Sequence, residues 1–210
     1  MIIFIIFYYI ENEHKIDEKA DIYIIFISAD SDEQYIDLEK SIGDRYDLNL
    51  WHSGNELIDA VSQKNNNIIA IINVPDPINL PWLNWIKGLI MSGFWGAESG
   101  NDITDILFVD YNPSGHLSYV WGELENYPSK IKLFSNPTEY NYNEGVFVGD
   151  ILIKIKAYYF SFRYGISYTT FEFDKDKGIS TEMTKEGCKI KFNMKNIDDI
   201  EGETVPIVFL

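Results

Sequence analysis

Four runs of apolar residues predict buried β-strands in the first half of the chain. They lie at 1–10, 21–29, 68–73 and 89–94. The middle two are apolar on both faces, which is typical of strands inside a parallel sheet rather than of strands with one solvent-facing side. We therefore predict one largely parallel sheet in this half of the chain.

Two short helices are predicted around these strands. Ser53 and Glu56 have the spacing of a capping box at the start of the first helix, and an apolar stripe follows them. The second helix follows the glycine-rich stretch 93–100 and carries its own stripe. The two stripes are formed by Leu57, Ala60 and Val61 and by Ile103, Ile106 and Leu107. Since strands and helices alternate with short connections, the sequence predicts an α/β fold with a mainly parallel sheet flanked by helices, an α/β sandwich.

The last part of the chain has a different pattern. From 188 to 195, apolar residues alternate with lysine and asparagine, which predicts a strand with one buried side, typical of an antiparallel sandwich. A turn at 196–199 and an apolar strand at 205–210 are expected to follow. Because a domain rarely ends on a strand that still needs partners, the chain looks truncated. We predict an α/β domain over 1–171 and an incomplete all-β domain over 172–210.

Composition and charge narrow the function classes. The 210 residues include 17 basic and 33 acidic side chains, and the net charge of −16 repels phosphate backbones, so we expect no nucleic-acid partner. The single cysteine, Cys188, cannot form a disulfide within the chain, which excludes small disulfide-stapled proteins. The run 1–10 is too short to span a bilayer, and it lacks the basic residue and the cleavage pattern of a signal peptide. We therefore expect no membrane partner and no convincing signal peptide.

The sequence lacks the common motifs for metals and phosphate cofactors. Its three histidines, His14, His52 and His116, are scattered and have no metal-ligand spacing. Neither glycine-rich phosphate loop is present, and no serine lies in a G-x-S-x-G elbow. We expect no metal and no cofactor. The remaining mixture of carboxylates, amides and aromatic residues suits sugars, although aromatic residues more often fill a core.

One stretch is specific enough to indicate a family. Residues 93–117 read GFWGAESGNDITDILFVDYNPSGHL, which resembles the run G-x-x-G-Q-E-S/G-G-N-A-x-A-D-x-L-F-G-D-x-N-P-S-G-R/K-L of glycoside hydrolase family 3. That run belongs to the C-terminal α/β domain of the family, which includes many microbial and fungal β-glucosidases. Other resemblances follow in the same order: 21–26 to A-D-V-A-I-V-F, 28–45 to S-A-D-S-G-E-G-Y … G-D-R, 142–149 to Y-N-E-G-I-F-V-G and 162–171 to F-G-Y-G-L-S-Y-T-T-F.

The resemblance implies an enzyme, a β-glucosidase-type O-glycosyl hydrolase that removes terminal β-D-glucosyl residues with retention. Such a mechanism uses two carboxyl groups, a nucleophile and an acid/base. In the family the nucleophile is an aspartate in an N-terminal (β/α)8 barrel, and nothing in this chain resembles that barrel. The acid/base is the glutamate of the S-G-E-G-Y loop, which matches 31–35 and implies Glu33. We therefore expect the chain alone to be an inactive fragment.

The resemblance also implies partners and a location. The expected substrate is a β-glucoside or an oligosaccharide, and the (β/α)8 barrel is normally part of the same chain. Segment 172–210 resembles the beginning of the fibronectin type III-like domain that follows the α/β domain in the family. Members of the family are commonly secreted, so secretion is the expectation that the resemblance adds.

Several positions depart from the family pattern. Asp32 and Gln34 replace the two glycines around Glu33, and Arg163 replaces the first glycine of F-G-Y-G. A residue other than glycine is strained wherever the backbone needs a positive φ. Asp32 and Gln34 therefore predict a strained turn if either position needs a positive φ, whereas Arg163 predicts less precise packing of the domain.

The other polar groups of the matching run have structural interpretations. Glu98 precedes the second predicted helix, where a negative charge is favourable, so we expect it to cap that helix rather than to act in catalysis. Asp110 and Asn112 lie at the Asn-Pro-Ser-Gly turn, and we expect them to hold it by bonds from side chain to backbone.

Two other function classes stay open. The first is a non-catalytic carbohydrate-binding or interaction module, left after loss of the barrel. The second is a flavodoxin-like regulator, which rests on fold analogy alone. An upstream coding region for a barrel with an aspartate nucleophile would favour the enzyme over the module.

Overall fold

The described residues of the computed structural model form two compact units. The first unit comprises 1–96 and 120–160, and the second comprises 97–119 and 161–210. The structure describes residues 3–6, 16, 19–31, 37–38, 41–42, 45, 47–94, 96–126, 145, 158–174 and 176–208. Glu33 and the segment 142–149 that resembles the family lie outside these ranges, except for Gly145.

Among the described residues, the first unit has six strands and one α-helix, and the second has one α-helix followed by four strands. The first unit contains β1 (Ile3–Ile6), β2 (Ile22–Ser28), β3 (Asp37–Leu38), β4 (Ser41–Ile42), α1 (Gly54–Ser62), β5 (Ile68–Asn73) and β6 (Gly88–Met91), with 3₁₀ turns at Leu83–Trp85 and Leu124–Asn126. The second unit contains α2 (Ser99–Leu107), β7 (Phe171–Phe173), β8 (Ser180–Thr184), β9 (Gly187–Lys191) and β10 (Met194–Asn196). Neither α1 nor α2, nor any other helix in the described part, has the length and apolar character that a membrane crossing needs.

A four-stranded parallel sheet in the order β1-β2-β5-β6 forms the centre of the first unit. The side chains of β2 and β5 are mostly buried, as expected for strands covered on both faces. Each isoleucine buried there contributes roughly 1.5–3 kcal/mol relative to an exposed one. The predicted α/β fold is confirmed. The predicted first strand is present but lies at the edge of the described sheet, where Ile5 is 51% exposed, and the fourth strand ends early, at Met91.

Helix α1 packs on β2, and its buried face is formed by Leu57, Ile58 and Val61. Ile58, rather than the predicted Ala60, completes that face. The predicted capping box is wrong, because Ser53 at the N-cap position makes no capping hydrogen bond from its side chain. An N-cap side chain normally reaches the helix N–H groups from an extended backbone, whereas Ser53 has left-handed dihedrals of φ 55° and ψ 36°.

Two fully buried tryptophans fix the connections of the first unit. Trp82 donates its indole N–H to Asn55 Oδ1 at 2.8 Å, and Trp121 donates its indole N–H to the carbonyl oxygen of Ile78 at 2.7 Å. Trp121 also forms an antiparallel bridge with Phe160, and their rings meet edge to face with centroids 5.9 Å apart. At these positions the aromatic residues of the chain fill a core.

In the second unit, α2 accompanies two antiparallel strand pairs, β7 with β10 and β8 with β9. Of the stripe predicted on α2, Ile103 is buried, whereas Ile106 and Leu107 are half-buried. After β7 the chain turns at Asp174, whose carboxylate accepts hydrogen bonds from the backbone N–H groups of Lys177 and Asp176. These donors, that of Lys177 first, lower the pKa of the Asp174 carboxyl.

Two predictions for the last part of the chain are wrong. The strand predicted over 188–195 is divided by Phe192 and Asn193 into β9 and β10, and the strand predicted at 205–210 is irregular backbone as far as residue 208. The predicted buried side is only half-buried, at Ile190, Phe192 and Met194. An alternating strand buries one side only where a second layer packs on it. The predicted domain boundary between 171 and 172 stays a prediction.

Candidate active site

The carboxyl ends of the parallel strands meet at one edge of the sheet in the first unit. Ser28, the last residue of β2, is paired in register with Asn73, the last residue of β5. Beyond that pair, the N–H of Ala29 donates to the carbonyl oxygen of Asn73 at 3.4 Å. Open α/β sheets present their functional loops at this edge. The chain therefore leaves β2 at the carboxyl edge, and three residues, 29–31, connect it to the segment that contains Glu33.

Glu33 itself lies outside the described residues, but the residues on both sides of its segment are described. Ser31 precedes it, and Arg45 follows the segment 32–44. The backbone N–H of Arg45 donates to Ser31 Oγ at 3.3 Å, which joins two residues that are 14 positions apart in the sequence. The two residues that flank segment 32–44 therefore lie together near the end of β2. We refer to 32–44 as the Glu33 loop.

The Arg45 side chain attaches the end of this loop to the segment that follows β5. Its Nη2 donates to the carbonyl oxygen of Pro77 at 2.8 Å and lies 3.7 Å from Asp76 Oδ2. The Arg45 side chain is 5% exposed and that of Asp76 is 60% exposed. A buried, charge-assisted hydrogen bond contributes about 1.5–3 kcal/mol, whereas an ion pair with an exposed partner contributes about 0–1 kcal/mol. Of these two contacts, the bond to Pro77 contributes more.

The chain after the loop is held against the same edge by backbone bonds. The N–H of Trp51 donates to the carbonyl oxygen of Ser28 at 2.9 Å, and the N–H of Asn79 donates to that of Leu48 at 2.8 Å. Residues 48–51 therefore lie beside the end of β2, and the segment after β5 lies beside residue 48. With Arg45, these contacts hold the residues on both sides of the Glu33 loop near the end of the sheet.

Glu98 lies at the start of α2, as predicted, but its carboxylate makes no capping hydrogen bond. Glu98 is the N-cap residue of α2, and its backbone carbonyl accepts from the N–H groups of Asn101 at 2.9 Å and Asp102 at 3.1 Å. Its carboxylate makes no capping bond to the backbone and instead accepts from Asn101 Nδ2 at 2.6 Å. The charge lies at the helix N-terminus, where it is favourable.

Asn112 holds two segments together rather than its own turn. The residue is buried, and its Oδ1 accepts from Ser167 Oγ at 2.9 Å and from the N–H of Tyr168 at 2.8 Å. The local bond of the turn is made by Ser114, whose Oγ donates to the carbonyl oxygen of Asn112 at 3.1 Å. Asp110 takes part through its backbone N–H, which donates to the carbonyl oxygen of Asp105 at 2.8 Å. The expectation of local side-chain bonds from Asp110 and Asn112 is therefore wrong.

The described residues contain no further arrangement of catalytic groups. Among them, no cluster of three or more His, Cys, Asp or Glu side chains could hold a metal ion. An open groove of about 430 Å³ in the second unit is lined by residues of β7, β10 and 202–205, and Glu203 is its single carboxylate. Retaining glycoside hydrolysis needs a pair of carboxyl groups, so this groove lacks the necessary chemistry.

Sequence reasoning missed the role of Arg45. Its contact with Pro77 spans 32 positions of sequence, so no local pattern reveals it. One signal was available, because Arg45 ends the run that resembles S-A-D-S-G-E-G-Y … G-D-R. It is also, with Lys40, one of two basic residues between 30 and 47, among seven carboxylates. A lone arginine in such an acidic segment is a candidate anchor.

The parallel sheet, and the connections that leave the carboxyl ends of β2 and β5, define an α/β domain. The profile of the Glycosyl hydrolase family 3 C-terminal domain matches residues 8–168. That match covers most of the chain, and the chain belongs to glycoside hydrolase family 3.

Curated relatives carry β-glucosidase names. The "Probable beta-glucosidase F" of Aspergillus fumigatus is 36% identical over 169 residues, which are 75% of this chain and 19% of that protein. A "Beta-glucosidase" of Schizophyllum commune is 39% identical over 140 residues, 64% of this chain and 73% of that protein. The chain thus spans about a fifth of the length of the Aspergillus relative.

Solved structures of β-glucosidases share the fold. A β-D-glucoside glucohydrolase from Trichoderma reesei has a TM-score of 0.69 at 32% identity, over 79% of this chain and 23% of that one. A β-glucosidase from Kluyveromyces marxianus has a TM-score of 0.69 at 30% identity, over 87% of this chain and 21% of that one. The family that the sequence resembled is therefore confirmed, and so is the α/β fold class.

Proposed function

We propose that this chain supplies the acid/base part of a retaining β-glucosidase that hydrolyses terminal β-D-glucosyl residues. Glu33 is the acid/base, and the nucleophile comes from a (β/α)8 barrel that the chain itself does not resemble. The observation that carries the proposal is the contact between Ser31 and Arg45, which flank the Glu33 loop near the carboxyl edge of the sheet. Family membership and the β-glucosidase names of the relatives support it.

The mechanism needs Glu33 twice. In the first step, the nucleophile carboxylate forms a bond to C1 of the glucosyl unit, the bond from C1 to the leaving oxygen breaks, and Glu33 gives its proton to that oxygen. In the second step, Glu33 takes a proton from water as the water oxygen attacks C1, and the nucleophile leaves. The configuration at C1 is retained because it is inverted twice.

The remaining parts of the proposal concern partners and location. The substrate is a β-glucoside or an oligosaccharide, and the barrel partner accounts for the extra length of the relatives. Secretion, which the likeness to fungal β-glucosidases supports, stays a prediction for this chain. The boundary between a domain over 1–171 and a fibronectin type III-like segment over 172–210 is likewise part of the proposal.

The test uses a fusion in which the preceding part of the Aspergillus fumigatus β-glucosidase F relative is joined to the whole 210-residue chain. Cellobiose and nitrophenyl β-glucoside are compared as substrates of the fusion and of its Glu33→Ala variant. Cellobiose has a poor leaving group that needs the proton, and nitrophenolate leaves without it. We expect kcat/KM for cellobiose to fall by about 10²–10⁴-fold and the first step with nitrophenyl glucoside to survive.

A matched control separates Glu33 from other glutamates. Glu98→Gln removes the charge of the carboxylate at the start of α2, and its ratio of the two kcat/KM values should equal that of the unchanged fusion. An equal loss on both substrates in Glu33→Ala would show that Glu33 is not the acid/base. Loss of the cellobiose reaction in Glu98→Gln alone would move the assignment to Glu98.

A further inference from the structure

We propose that the open groove of the second unit is a non-catalytic binding site for a neutral saccharide. The groove has a volume of about 430 Å³, which lies within the range of about 300–1,000 Å³ that is usual for small-molecule sites. All the residues that line it are described, and none of them belongs to the Glu33 loop. The inference is therefore independent of the proposed role of Glu33 in hydrolysis.

The lining of the groove is both apolar and polar. Strands β7 and β10 and the segment 202–205 contribute three apolar side chains, an amide, a carboxylate and a hydroxyl group. These side chains belong to Phe171, Met194, Val205, Asn196, Glu203 and Thr204. A pyranose ring has the same mixed character, because its C–H faces are apolar and its hydroxyl groups both donate and accept hydrogen bonds. The composition of the lining therefore suits a sugar better than a purely apolar ligand.

The amide of Asn196 is held in one orientation before a ligand arrives. Asn196 pairs with Phe171 across β10 and β7, so the two side chains leave the strand pair on the same face. Its Oδ1 accepts from Thr169 Oγ1 at 2.6 Å and from the N–H of Asp198 at 3.0 Å. Its Nδ2 donates to the carbonyl oxygen of Ile200 at 2.7 Å. Because an amide nitrogen carries two hydrogens, the second N–H can donate to a sugar hydroxyl.

The segment 202–205 has irregular backbone, but the rest of the second unit holds it at both ends. Gly202 lies so close to the amide of Asn112 that a Cβ atom at position 202 would overlap it. The carbonyl oxygen of Val205 accepts a hydrogen bond from the guanidinium of Arg163. A segment that is already held in place loses less conformational entropy when a ligand binds. The polar side chains of this segment are therefore presented by a fixed stretch of chain.

The charge of the groove favours a neutral ligand. Glu203 is exposed, and no basic side chain is among the described residues that line the groove. The net charge of −16 on the whole chain adds to the repulsion of an anion. The carboxylate of Glu203 can accept hydrogen bonds from the hydroxyl groups of a neutral sugar, and bonds to a charged acceptor are the stronger ones. Since retaining hydrolysis needs two carboxyl groups, the groove binds a sugar without cleaving it.

The experiment titrates the 210-residue chain with cellotetraose and follows the backbone amide signals by NMR. We expect saturable shifts at the residues that line the groove. Trigalacturonate, an anionic oligosaccharide, is the comparison ligand and should give no saturable shift there, because its carboxylates are repelled.

Three variants test which side chains bind the sugar. Glu203→Ala should raise the Kd of cellotetraose by about 10-fold, the loss expected for a hydrogen bond to a charged group. Phe171→Leu keeps an apolar side chain but removes the aromatic ring, and it should raise the Kd by about 2–10-fold. Glu201→Ala is the matched control, because Glu201 is also exposed but does not line the groove. Its Kd should stay within about twofold, since solvent and salt screen a charge outside the site.

Groove shifts that are weakened by Glu203→Ala and Phe171→Leu, but not by Glu201→Ala, would support the saccharide site. Absence of a saturable shift, or an unchanged Kd in both groove variants, would overturn it. Shifts confined to the carboxyl edge of the parallel sheet would also overturn it, because the sugar would then bind at the proposed active site. An equal loss in Glu201→Ala, or equal binding of trigalacturonate, would contradict recognition of a neutral sugar by the groove. The measurement involves no turnover, so a failure here leaves the proposed function intact.

Discussion

Val109 and Arg163 have backbone dihedrals that side chains rarely adopt, with φ values of 68° and 62°. Both replace glycines of the family runs, in L-F-G-D and in F-G-Y-G. A left-handed backbone costs a residue with a Cβ atom roughly 1–2 kcal/mol, and a β-branched side chain such as that of valine is a clear outlier there. Arg163 gains a compensating contact, because its guanidinium donates to the carbonyl oxygen of Val205. Val109 is 51% exposed, so its side chain contributes little burial in return.

Restoring glycine at position 109 should therefore stabilise the protein. Val109→Gly removes strain of roughly 1–2 kcal/mol from the folded state. Glycine also gives the unfolded chain more conformational freedom, which lowers stability by about 0.5–1 kcal/mol. We therefore expect the free energy of unfolding to rise by about 0.5–1 kcal/mol. Urea unfolding of the 210-residue chain measures it. The control is Val205→Gly, an exposed valine without a positive φ, where stability should fall slightly or not change. A lower free energy of unfolding in Val109→Gly would contradict the claim that the backbone at position 109 is strained.

Sequence alone could identify the strained positions as departures from a pattern, but it could not show their backbone. Arg163 was recognised as a glycine replacement, and its φ confirms that the backbone there is left-handed. Arg45 was different, because its role depends on a carbonyl oxygen 32 positions away. Long-range contacts of this kind depend on the fold and not on the neighbours in sequence.

At the scale of elements, two segments of the second unit are joined by a short ladder. The N–H of Leu117 donates to the carbonyl oxygen of Tyr164 at 2.9 Å, and the N–H of Arg163 donates to that of Leu117 at 2.8 Å. Gly165 lies beside this ladder, and a Cβ atom there would be 2.5 Å from the carbonyl oxygen of Gly115. The glycine is thus required by close approach of the backbone rather than by its φ.

Gly165→Ala should destabilise the second unit. The added methyl group meets a backbone atom that cannot move alone, and overpacking of this kind costs about 1–3 kcal/mol. The free energy of unfolding from urea titration should fall by that amount. Gly96→Ala is the control, because a Cβ atom at Gly96 meets nothing within 4 Å, and its effect should stay within about 0.5 kcal/mol. Equal stabilities of the two variants would argue against the close approach.

An element can be predicted from sequence when its own residues determine its structure, and it cannot when contacts with distant parts of the chain determine it. The continuous apolar runs of β2 and β5 were predicted correctly, because strands covered on both faces need no further information. The cap of α1 was predicted wrongly, because the backbone of Ser53 is set by neighbouring contacts. One of these is the bond from the N–H of Trp51 to the carbonyl oxygen of Ser28. The alternating pattern at 188–195 predicted which side chains are less exposed but not that they are only half-buried, since full burial depends on a second layer.

Exposure along the second unit predicts where a protease cuts. Lys177 and Lys87 both have exposed side chains, but the N–H of Lys87 donates to the carbonyl oxygen of Ile68 next to the sheet. Proteolysis needs local unfolding, which is easier in an exposed turn than beside a buried sheet. With trypsin, we expect cleavage after Lys177 well before cleavage after Lys87, read by mass spectrometry of the fragments. Lys177→Gln should remove the early product, and equal rates at the two sites would contradict the prediction.

At the scale of the whole molecule, the proposed function requires two carboxyl groups from different parts of a longer protein. A retaining site needs them about 5–5.5 Å apart. The proposal assigns one to Glu33 and the other to a barrel, while the chain covers 19% of the length of its Aspergillus relative. Activity is therefore expected of the fusion and not of the 210-residue chain alone.

We accordingly expect the 210-residue chain alone to release no detectable nitrophenol from nitrophenyl β-glucoside. The acid/base without the nucleophile cannot form the glycosyl-enzyme, and nitrophenol absorbance over a long incubation measures the residual rate. The fusion with the preceding part of the relative is the positive control. Release by the chain alone that is abolished by Glu33→Gln would show that both carboxyl groups lie within these residues.

The acid/base role of Glu33 is tested most directly by azide rescue of the Glu33→Ala fusion. Azide is an anion that attacks C1 of the glucosyl-enzyme without a general base, so it replaces the second function of Glu33. With nitrophenyl β-glucoside as substrate, the variant should form β-glucosyl azide and turn over faster by about 10²–10⁴-fold as azide is added, while the unchanged fusion should not accelerate. Product NMR identifies the β-anomer. Absence of β-glucosyl azide, with turnover of the variant unaffected by azide, would contradict the assignment of Glu33.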